Sequence, residues 1–344
     1  MFRDQRLKDN WALIHAVDQA NKANVPVAIA FNLFDKFLGA KPRQLGFMLK
    51  GLRQLQKSLE DAQIPFFLFQ GVAEETIPKF LGECKASLLV TDFSPLRPIR
   101  KCKEEICKRL SDSVTIHEVD AHNIVPIWVA SVKLEYSAKT IRGKINKLLP
   151  EYLIDFPTLL PPNKKWDAMN LLIDWDGMGL VYLKSNGVNL GRNCSNGSID
   201  WKQRWFLDKK ISAQRCALEA RGLRKLYAQA VDTFLEELIV RRELADNFCY
   251  YQPNYDTIQG AWEWARKTLM DHVADKREHI YMTEKLEKAQ TADPYDSARD
   301  SFLFSSMRLH FPPYFYPKFQ LWNASQLEMV HYGKMHGFMR QVTS

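Results

Sequence analysis

The chain has 344 residues, of which 46% are hydrophobic and 26% are charged, so its composition is that of a globular protein rather than of a disordered or fibrous one. Lys and Arg outnumber Asp and Glu by 48 to 40, and this excess permits a polyanionic partner without requiring one. Six Cys residues are too few for a disulfide scaffold. No apolar run reaches the about 18–20 residues that a membrane span needs, and the N-terminus is charged where a signal peptide would be apolar. The sequence therefore predicts an intracellular, soluble protein of two domains.

The first 130 residues alternate between strand-like and helix-like patterns. Four apolar runs, rich in β-branched and aromatic residues, predict strands buried on both faces at 25–34, 64–71, 86–94 and 114–126. The segments between them have apolar residues at helical spacing, most clearly in the stripe of Leu45, Met48, Leu49, Leu52, Leu55 and Leu59. Strands that alternate with helices predict an α/β open parallel sheet.

The start of the chain departs from this pattern. Such a domain normally opens with a strand, whereas only Met1 and Phe2 are apolar before a charged stretch, so we expect the first strand to be clipped. Neither a dinucleotide-binding GxGxxG nor a P-loop GxxxxGK[ST] is present. If this domain binds a ligand, the turns at 91–97 and 120–126 are the candidates, since they follow predicted strands. Simple polar strand-to-helix turns are the alternative that we favour.

From residue 131 onward the patterns are helical. A basic segment suits either a phosphate-facing patch or a solvated helix face, and it contains Lys139, Arg142, Lys144 and Lys147. The last helical pattern, at 321–340, has His331 and His336 five residues apart rather than four. We therefore predict no metal site there.

The strongest helical pattern covers 230–252 and places several charged residues at the border of its apolar side. Glu237 and Arg241 stand four residues apart, which is the spacing of a helical ion pair. A carboxylate at such a border could instead accept hydrogen bonds inside a pocket. The residues alone favour the ion pair.

Two stretches, 174–210 and 295–320, lack any such periodicity. The first is rich in Gly, Asn and Ser, and the second is aromatic and Pro-rich and interrupts two good helical patterns. Loops of this length without secondary structure are unusual inside a compact domain.

Several long segments together resemble class II cyclobutane-pyrimidine-dimer DNA photolyases in their plant form. They are MFRDQRLKDNWAL, RQLGFMLKGLRQL, VTDFSPLR, HEVDAHNIVP, EYSAKTIRGKI, TFLEELIVRRELADNFCYY, ADKREHIY and WNASQLEMVHYGKMHGFMR. The resemblance implies a Rossmann-like α/β antenna domain at 1–130, a linker with the first helices at 131–173, and a partial all-α domain at 211–344 that binds FAD and DNA.

The activity implied by the resemblance is light-driven DNA repair. Reduced FAD passes an electron to a pyrimidine dimer flipped out of UV-damaged double-stranded DNA, the cyclobutane ring splits, and the electron returns. The resemblance also implies a monomer in the nucleus, with organelles left open, and leaves the identity of any second, antenna chromophore open. It implies no metal ion and no membrane partner.

Four residues match functional positions of the family. Glu237 matches the carboxylate that hydrogen-bonds the bases of the dimer, and Arg241 matches the helix that lines the lesion and flavin pocket. Arg340 matches the arginine beside the flavin. Trp322 matches the middle member of a tryptophan chain that photoreduces the flavin.

The chain also departs from the family pattern. The segment 174–210 replaces a phosphate-holding loop, of which only ISAQRC at 211–216 remains, and 295–320 separates two segments that are contiguous in the family. The region that follows HGFMR in the family is absent, so we expect a truncated chain with two foreign segments that arise from mis-splicing or an incorrect gene model. The alternative function is therefore a catalytically inactive photolyase fragment with at most weak, non-specific DNA binding.

Overall fold

The computed structural model describes residues 1–34, 40, 42–166, 173, 175, 212–276, 282, 284–285, 288–289 and 321–332. Arg340, the segment 295–320, and all of 174–210 except Trp175 lie outside the described residues. The chain divides into two compact units, one of residues 1–197 and 201–260 and the other of residues 198–200 and 261–344. The domain boundaries expected from the sequence stay predictions.

The first part of the chain alternates helices and strands as the sequence predicts. The elements are α1 (Trp11–Ala23), β1 (Ile29–Leu33), α2 (Pro42–Asp61), β2 (Phe66–Gln70), α3 (Ala73–Glu83), β3 (Leu88–Asp92), α4 (Arg97–Arg109) and β4 (Thr115–Val119). Each of the four strands lies inside one of the predicted apolar runs, and both strand pairs are parallel, which confirms the α/β fold class.

The strands form two pairs. β1 lies against β2 with Ile29 opposite Phe66, and β3 lies against β4 with Leu88 opposite Thr115. Among the described residues these are two separate two-stranded sheets rather than one sheet of four strands.

The rest of the described chain is helical, which confirms the expectation that an all-α part follows the α/β part. The first unit continues with α5 (Ile127–Ala130), α6 (Ala138–Tyr152), α7 (Ala213–Gly222), α8 (Ala228–Leu235), a π-helix (Glu236–Arg241), α9 (Arg242–Tyr251) and a 3₁₀ turn (Ile258–Gly260). The second unit contains α10 (Glu263–Asp271) and α11 (Leu321–Tyr332). No helix in the described ranges is long and apolar enough to cross a membrane.

Side-chain caps define where two of these helices begin. The Asn10 side chain accepts a hydrogen bond from the N–H of Leu13 at 3.1 Å, and the Ser212 hydroxyl accepts one from the N–H of Arg215 at 3.0 Å. Both bonds satisfy an N–H group that the first helical turn leaves without a backbone partner.

Two apolar cores hold the first unit together. In the first core, the predicted leucine stripe of α2 is buried together with α1, β1 and β2. In the second core, α6 and α7 pack against the π-helix, whose Ile239 and Val240 are buried, and against Ile124 and Val125 of the turn after β4. The second core therefore fixes the π-helix beside the carboxyl end of β4.

Candidate functional site

Glu237 and Arg241 lie on a six-residue π-helix rather than on the continuous α-helix that the sequence predicts. Such π-helical turns are rare and occur frequently at functional sites. Ile239 and Val240 face the core of the first unit, whereas Glu237 and Arg241 are exposed. The π-helix thus presents one carboxylate and one guanidinium to solvent.

The expected ion pair between Glu237 and Arg241 is wrong. Nε of Arg241 lies 3.5 Å from Oε1 of Glu236, five residues earlier, which is the spacing that a π-helix brings together. The same carboxylate accepts hydrogen bonds from Arg142 of α6, whose Nε and Nη2 lie 3.0 and 2.6 Å from its two oxygens. These bonds hold the pKa of Glu236 below its ordinary value.

The side chain of Glu237 differs from that of its paired neighbour Glu236 in its contacts. No side-chain hydrogen bond or ion pair joins Glu237 to any other residue in the described part of the chain. An exposed carboxylate on a packed helix, with no partner of its own, is free to accept hydrogen bonds from a ligand.

A cleft of about 420 Å³ lies beside the π-helix, and its size is within the range of small-molecule sites. Its lining comes from α6, α7, α8 and the π-helix and consists of Asn146, Leu149, Pro150, Arg221, Arg224, Asp232, Leu235, Glu236, Ile239 and Val240. Arg224 forms an ion pair with Asp232 at 2.9 Å, and Arg221 is exposed. Guanidinium groups bind phosphate through two parallel hydrogen bonds, and Arg221 is the arginine of this lining that the carboxylates Asp232 and Glu236 do not pair with.

The basic segment on α6 is divided between internal ion pairs and solvent. Arg142 is engaged by Glu236, and Nζ of Lys144 lies 3.1 Å from the Ser131 hydroxyl and also donates to Glu135. Burial alone would raise the pKa of Glu135, but hydrogen bonds from Lys144 and Ser131 lower it to about 2. Lys139 and Lys147 are exposed, so only part of the segment is available to a polyanion.

The surviving ISAQRC segment is used for packing. The buried Gln214 side chain accepts a hydrogen bond from the indole N–H of Trp11 at 2.9 Å and donates to the carbonyl of Ile154 at 2.6 Å. Arg215 forms ion pairs with Asp9 and Asp155 at 3.0 and 2.9 Å. These contacts join α7 to the start of α1 and to the chain after α6.

A buried polar network fixes α9 to the turn after β4. Oε1 of Glu243 accepts the N–H of Ile124 at 2.7 Å, and the carboxylate of Asp246 accepts both Nη1 and Nη2 of Arg3, at 2.8 and 3.0 Å. Nδ2 of Asn123 donates to Asp246 at 3.0 Å. The sequence places these carboxylates only at the border of the core. The sequence feature that could have identified these carboxylates as buried is their position on the same side of the helix as Ile239 and Val240.

The two candidate ligand turns also use their carboxylates internally. Asp92 accepts the backbone N–H groups of Phe2 and Asp4 at 2.9 and 2.7 Å, and Asp120 accepts those of Asn123 and Ile127 at 2.9 and 3.2 Å. This is the arrangement expected of polar strand-to-helix turns, which is the interpretation favoured above.

The remaining candidate residues lie elsewhere. The backbone of Trp322 is in the first turn of α11, within the second unit, and Arg340 lies outside the described residues. Among the described residues no group of three or more His, Cys, Asp or Glu side chains could hold a metal ion. Glu237 and Arg241 are therefore the two candidates that the structure places on one element, the π-helix.

A family model described as DNA photolyase matches residues 1–163. The chain is 58% identical to a deoxyribodipyrimidine photo-lyase of Arabidopsis thaliana over 377 residues, which covers 99% of this chain and 71% of that protein. It is 46% identical to a deoxyribodipyrimidine photo-lyase of Oryza sativa subsp. japonica, covering 99% of this chain and 70% of the relative.

Solved structures show the same fold. A photolyase from the archaeon Sulfolobus tokodaii, determined with two FAD molecules, matches with a TM-score of 0.63 at 15% identity, over 99% of this chain and 73% of that one. A cryptochrome from Synechocystis sp. PCC6803 matches with a TM-score of 0.61 at 14% identity, over 99% and 72% of the two chains. Since the identity to two plant relatives extends over nearly all of this sequence, the chain belongs to the DNA photolyase family.

Proposed function

We propose that the protein is a deoxyribodipyrimidine photolyase, a lyase that uses light to split cyclobutane pyrimidine dimers in UV-damaged DNA. The observation that carries this proposal is the 58% identity, over 99% of the chain, to a plant deoxyribodipyrimidine photo-lyase. The exposed and unpaired carboxylate of Glu237 supports it, because the reaction needs a hydrogen-bonding group where the damaged bases bind.

The cofactor of this function is FAD in its reduced form. FAD contains a diphosphate, and the cleft beside the π-helix offers the exposed guanidinium of Arg221, whereas Arg224 is paired with Asp232. Arg241 adds a further exposed guanidinium on the π-helix. Reduced FAD, when bound, supplies under blue light the electron that opens the cyclobutane ring and takes the electron back after the ring has split.

Glu237 binds and orients the damaged bases in this proposal. Pyrimidine rings carry N–H groups, and an ionised carboxylate is a strong acceptor for them. The rigid packing of Ile239 and Val240 holds the π-helix, so Glu237 is presented from a fixed backbone. Arg241, one turn further on, serves as a donor to the cofactor or to the lesion.

The DNA partner is a duplex from which the dimer is flipped out, since the ring cannot reach a site on the protein while it is stacked. A net charge of +8 and the exposed Lys139 and Lys147 supply the sequence-independent attraction to phosphates. We propose that the protein acts as a monomer in the nucleus, and in DNA-containing organelles if it reaches them.

The test compares three proteins, each loaded with FAD and reduced: wild type, Glu237→Gln, and Glu60→Gln as a matched control. Glu60 is an exposed glutamate near the end of α2, far along the chain from the π-helix. The substrate is an oligonucleotide with one thymine dimer, and the remaining dimer is measured after blue light and after equal time in the dark.

We expect light-dependent repair by wild type and by Glu60→Gln, and slower repair by Glu237→Gln. A hydrogen bond to a charged group contributes about 1.5–3 kcal/mol, which corresponds to a loss of about 10- to 100-fold. Equal repair by Glu237→Gln and wild type would remove Glu237 from the site. No light-dependent repair by either wild type or Glu60→Gln would refute the function itself and favour the inactive fragment.

A further inference from the structure

Two histidines of the first unit, His15 of α1 and His117 of β4, face each other where the helix crosses the strand. Nε2 of His15 lies 2.9 Å from Nδ1 of His117, and the ring centroids are 5.1 Å apart. The two residues are 102 positions apart in the sequence, so the fold, and not local spacing, brings them together. Neither residue belongs to the candidate site on the π-helix.

The backbones that carry this histidine pair are fixed on both sides. His117 lies opposite Val90 in the middle of the parallel ladder of β3 and β4. The side chain of Asn10 caps the start of α1, and Asp9 just before it forms an ion pair with Arg215 of α7 at 3.0 Å. A packed helix and a paired strand hold side chains in a more precise arrangement than loops do.

The contact leaves half of the hydrogen-bonding capacity of the pair unused. A neutral imidazole has one N–H group and one acceptor nitrogen, and a single bond joins the two rings. Nδ1 of His15 and Nε2 of His117 have no partner among the residues that the structure describes, and both side chains are half-buried. When the ring protons lie on these outer nitrogens, the lone pairs of the two facing nitrogens are both free to bind a metal ion.

The distance between the facing nitrogens matches that between two neighbouring ligands of a transition metal. Imidazole nitrogens bind such metals at about 2.0–2.1 Å, so two nitrogens 2.9 Å apart subtend an angle of about 90° at the metal. This is the angle between adjacent ligands in a square-planar or tetragonal site, whereas a tetrahedral Zn²⁺ site needs about 3.3 Å between the nitrogens. The spacing therefore favours Ni²⁺ or Cu²⁺ over Zn²⁺.

The surroundings keep His15 uncharged and admit a cation. Burial lowers the pKa of His15 and the proximity of His117 lowers it further, so protons compete weakly for its ring. Asp18 follows His15 by three residues on the same face of α1, and its negative charge acts in the opposite direction. Because its carboxylate is paired with Nζ of Lys22 at 2.7 Å, Asp18 contributes charge rather than a ligand atom.

From this geometry we propose that His15 and His117 form a binding site for one divalent transition-metal ion, Ni²⁺ or Cu²⁺, held between Nε2 of His15 and Nδ1 of His117. No group of three His, Cys, Asp or Glu ligands occurs in the described parts of the chain, so water molecules complete the coordination. An ion bound there joins α1 to β4. It stabilises the folded protein, because only the folded chain holds both rings together.

The experiment adds Ni²⁺ to the full 344-residue chain; Ni²⁺ is the probe because Cu²⁺ oxidises free cysteines. Calorimetric titration gives the affinity and the stoichiometry, and NMR of the ring protons shows which histidines the paramagnetic ion broadens. Wild type is compared with His15→Gln, His117→Gln and the control His272→Gln, which removes an exposed histidine bonded to Asp275. Neither readout depends on FAD or on repair, so the result is separate from that of the proposed function.

We expect one Ni²⁺ per wild-type chain, with the signals of His15 and His117 broadened before those of other histidines. The affinity should fall at least tenfold in His15→Gln and in His117→Gln and should stay at the wild-type value in His272→Gln. Ni²⁺ should also raise the unfolding temperature of wild type more than that of either pair variant.

An affinity that both pair variants retain, or broadening confined to other histidines, would refute the site and leave the contact as a hydrogen bond only. If the pair variants do not fold, the broadening pattern of the wild-type protein decides between these results by itself.

Discussion

Glu243 is the buried carboxylate through which the stability of this fold should depend on pH. Its Oε1 accepts the N–H of Ile124 at 2.7 Å and lies 3.4 Å from Nη2 of Arg242, while Oε2 is buried without a hydrogen bond. Burial raises the pKa of Glu243 from an ordinary 4.5 to about 7, although Arg242 and the backbone bonds oppose the change. The native state therefore favours the protonated form of this side chain.

The sign and size of the effect follow from linkage. Because the pKa of Glu243 is higher in the folded than in the unfolded chain, its contribution to stability is fully present below about pH 4.5 and is lost as the pH rises through about 7. A difference of about 2.5 pKa units corresponds to about 3 kcal/mol in the free energy of unfolding. Glu243→Gln removes the ionisation and keeps an oxygen that can accept the N–H of Ile124.

We therefore expect Glu243→Gln to have nearly wild-type stability at pH 5 and to be more stable than wild type by about 2–3 kcal/mol at pH 8. Urea unfolding of both proteins between these pH values tests this, with the substitution Glu60→Gln at an exposed position as a control. The neighbouring carboxylates Asp120 and Asp246 are present in both proteins, so the difference between the two proteins isolates Glu243. A variant that loses more stability at pH 8 than at pH 5 would refute the reasoning, since it would mean that the ion pair with Arg242 outweighs burial.

Three further substitutions test the contacts that hold the first unit together. Asp92→Ala should lower the free energy of unfolding by about 2–4 kcal/mol, because its carboxylate accepts backbone N–H groups of residues 2–4; a loss below about 1 kcal/mol in urea unfolding would contradict this. Asn10→Ala should lower the free energy of unfolding by about 2 kcal/mol, since the side chain caps α1 and also donates to two carbonyl groups. An unchanged unfolding temperature in calorimetry would show that another group takes over these hydrogen bonds. Asp246→Ala should lower the free energy of unfolding by about 3 kcal/mol, because it leaves the Arg3 guanidinium without its carboxylate. Asp112→Ala, at an exposed position, is the control. Equal stability of the two variants would be evidence against a structural ion pair.

The α/β half was predictable because each strand is a short apolar run, and such runs differ in length and composition from the helices between them. The leucine stripe of α2 was predictable for the same kind of reason, since a stripe over about four turns is a strong signal. The separation of the strands into two pairs was not predictable from the sequence, because strand neighbours depend on contacts between segments far apart in the chain.

The residues of the candidate site were predictable from the sequence, but their contacts were not. A π-helix of six residues differs too little from an α-helix in its spacing to be recognised from apolar periodicity, so the partner of Arg241 was assigned to Glu237 instead of Glu236. The buried carboxylates of α9 were missed for another reason. Their donors, Arg3 and the turn after β4, lie more than 100 residues away in the sequence.

Photolyase activity is measured by counting the dimers that each protein molecule splits in the light. The protein is loaded with FAD, reduced, and mixed with an excess of dimer-containing duplex, and the products are quantified by chromatography after illumination and after an equal time in the dark. We expect the illuminated protein to split more dimers than there are protein molecules and the dark sample to split none, since the electron returns after each reaction. No loss of dimers in the light, with the Arabidopsis thaliana relative active under the same conditions, would contradict the account.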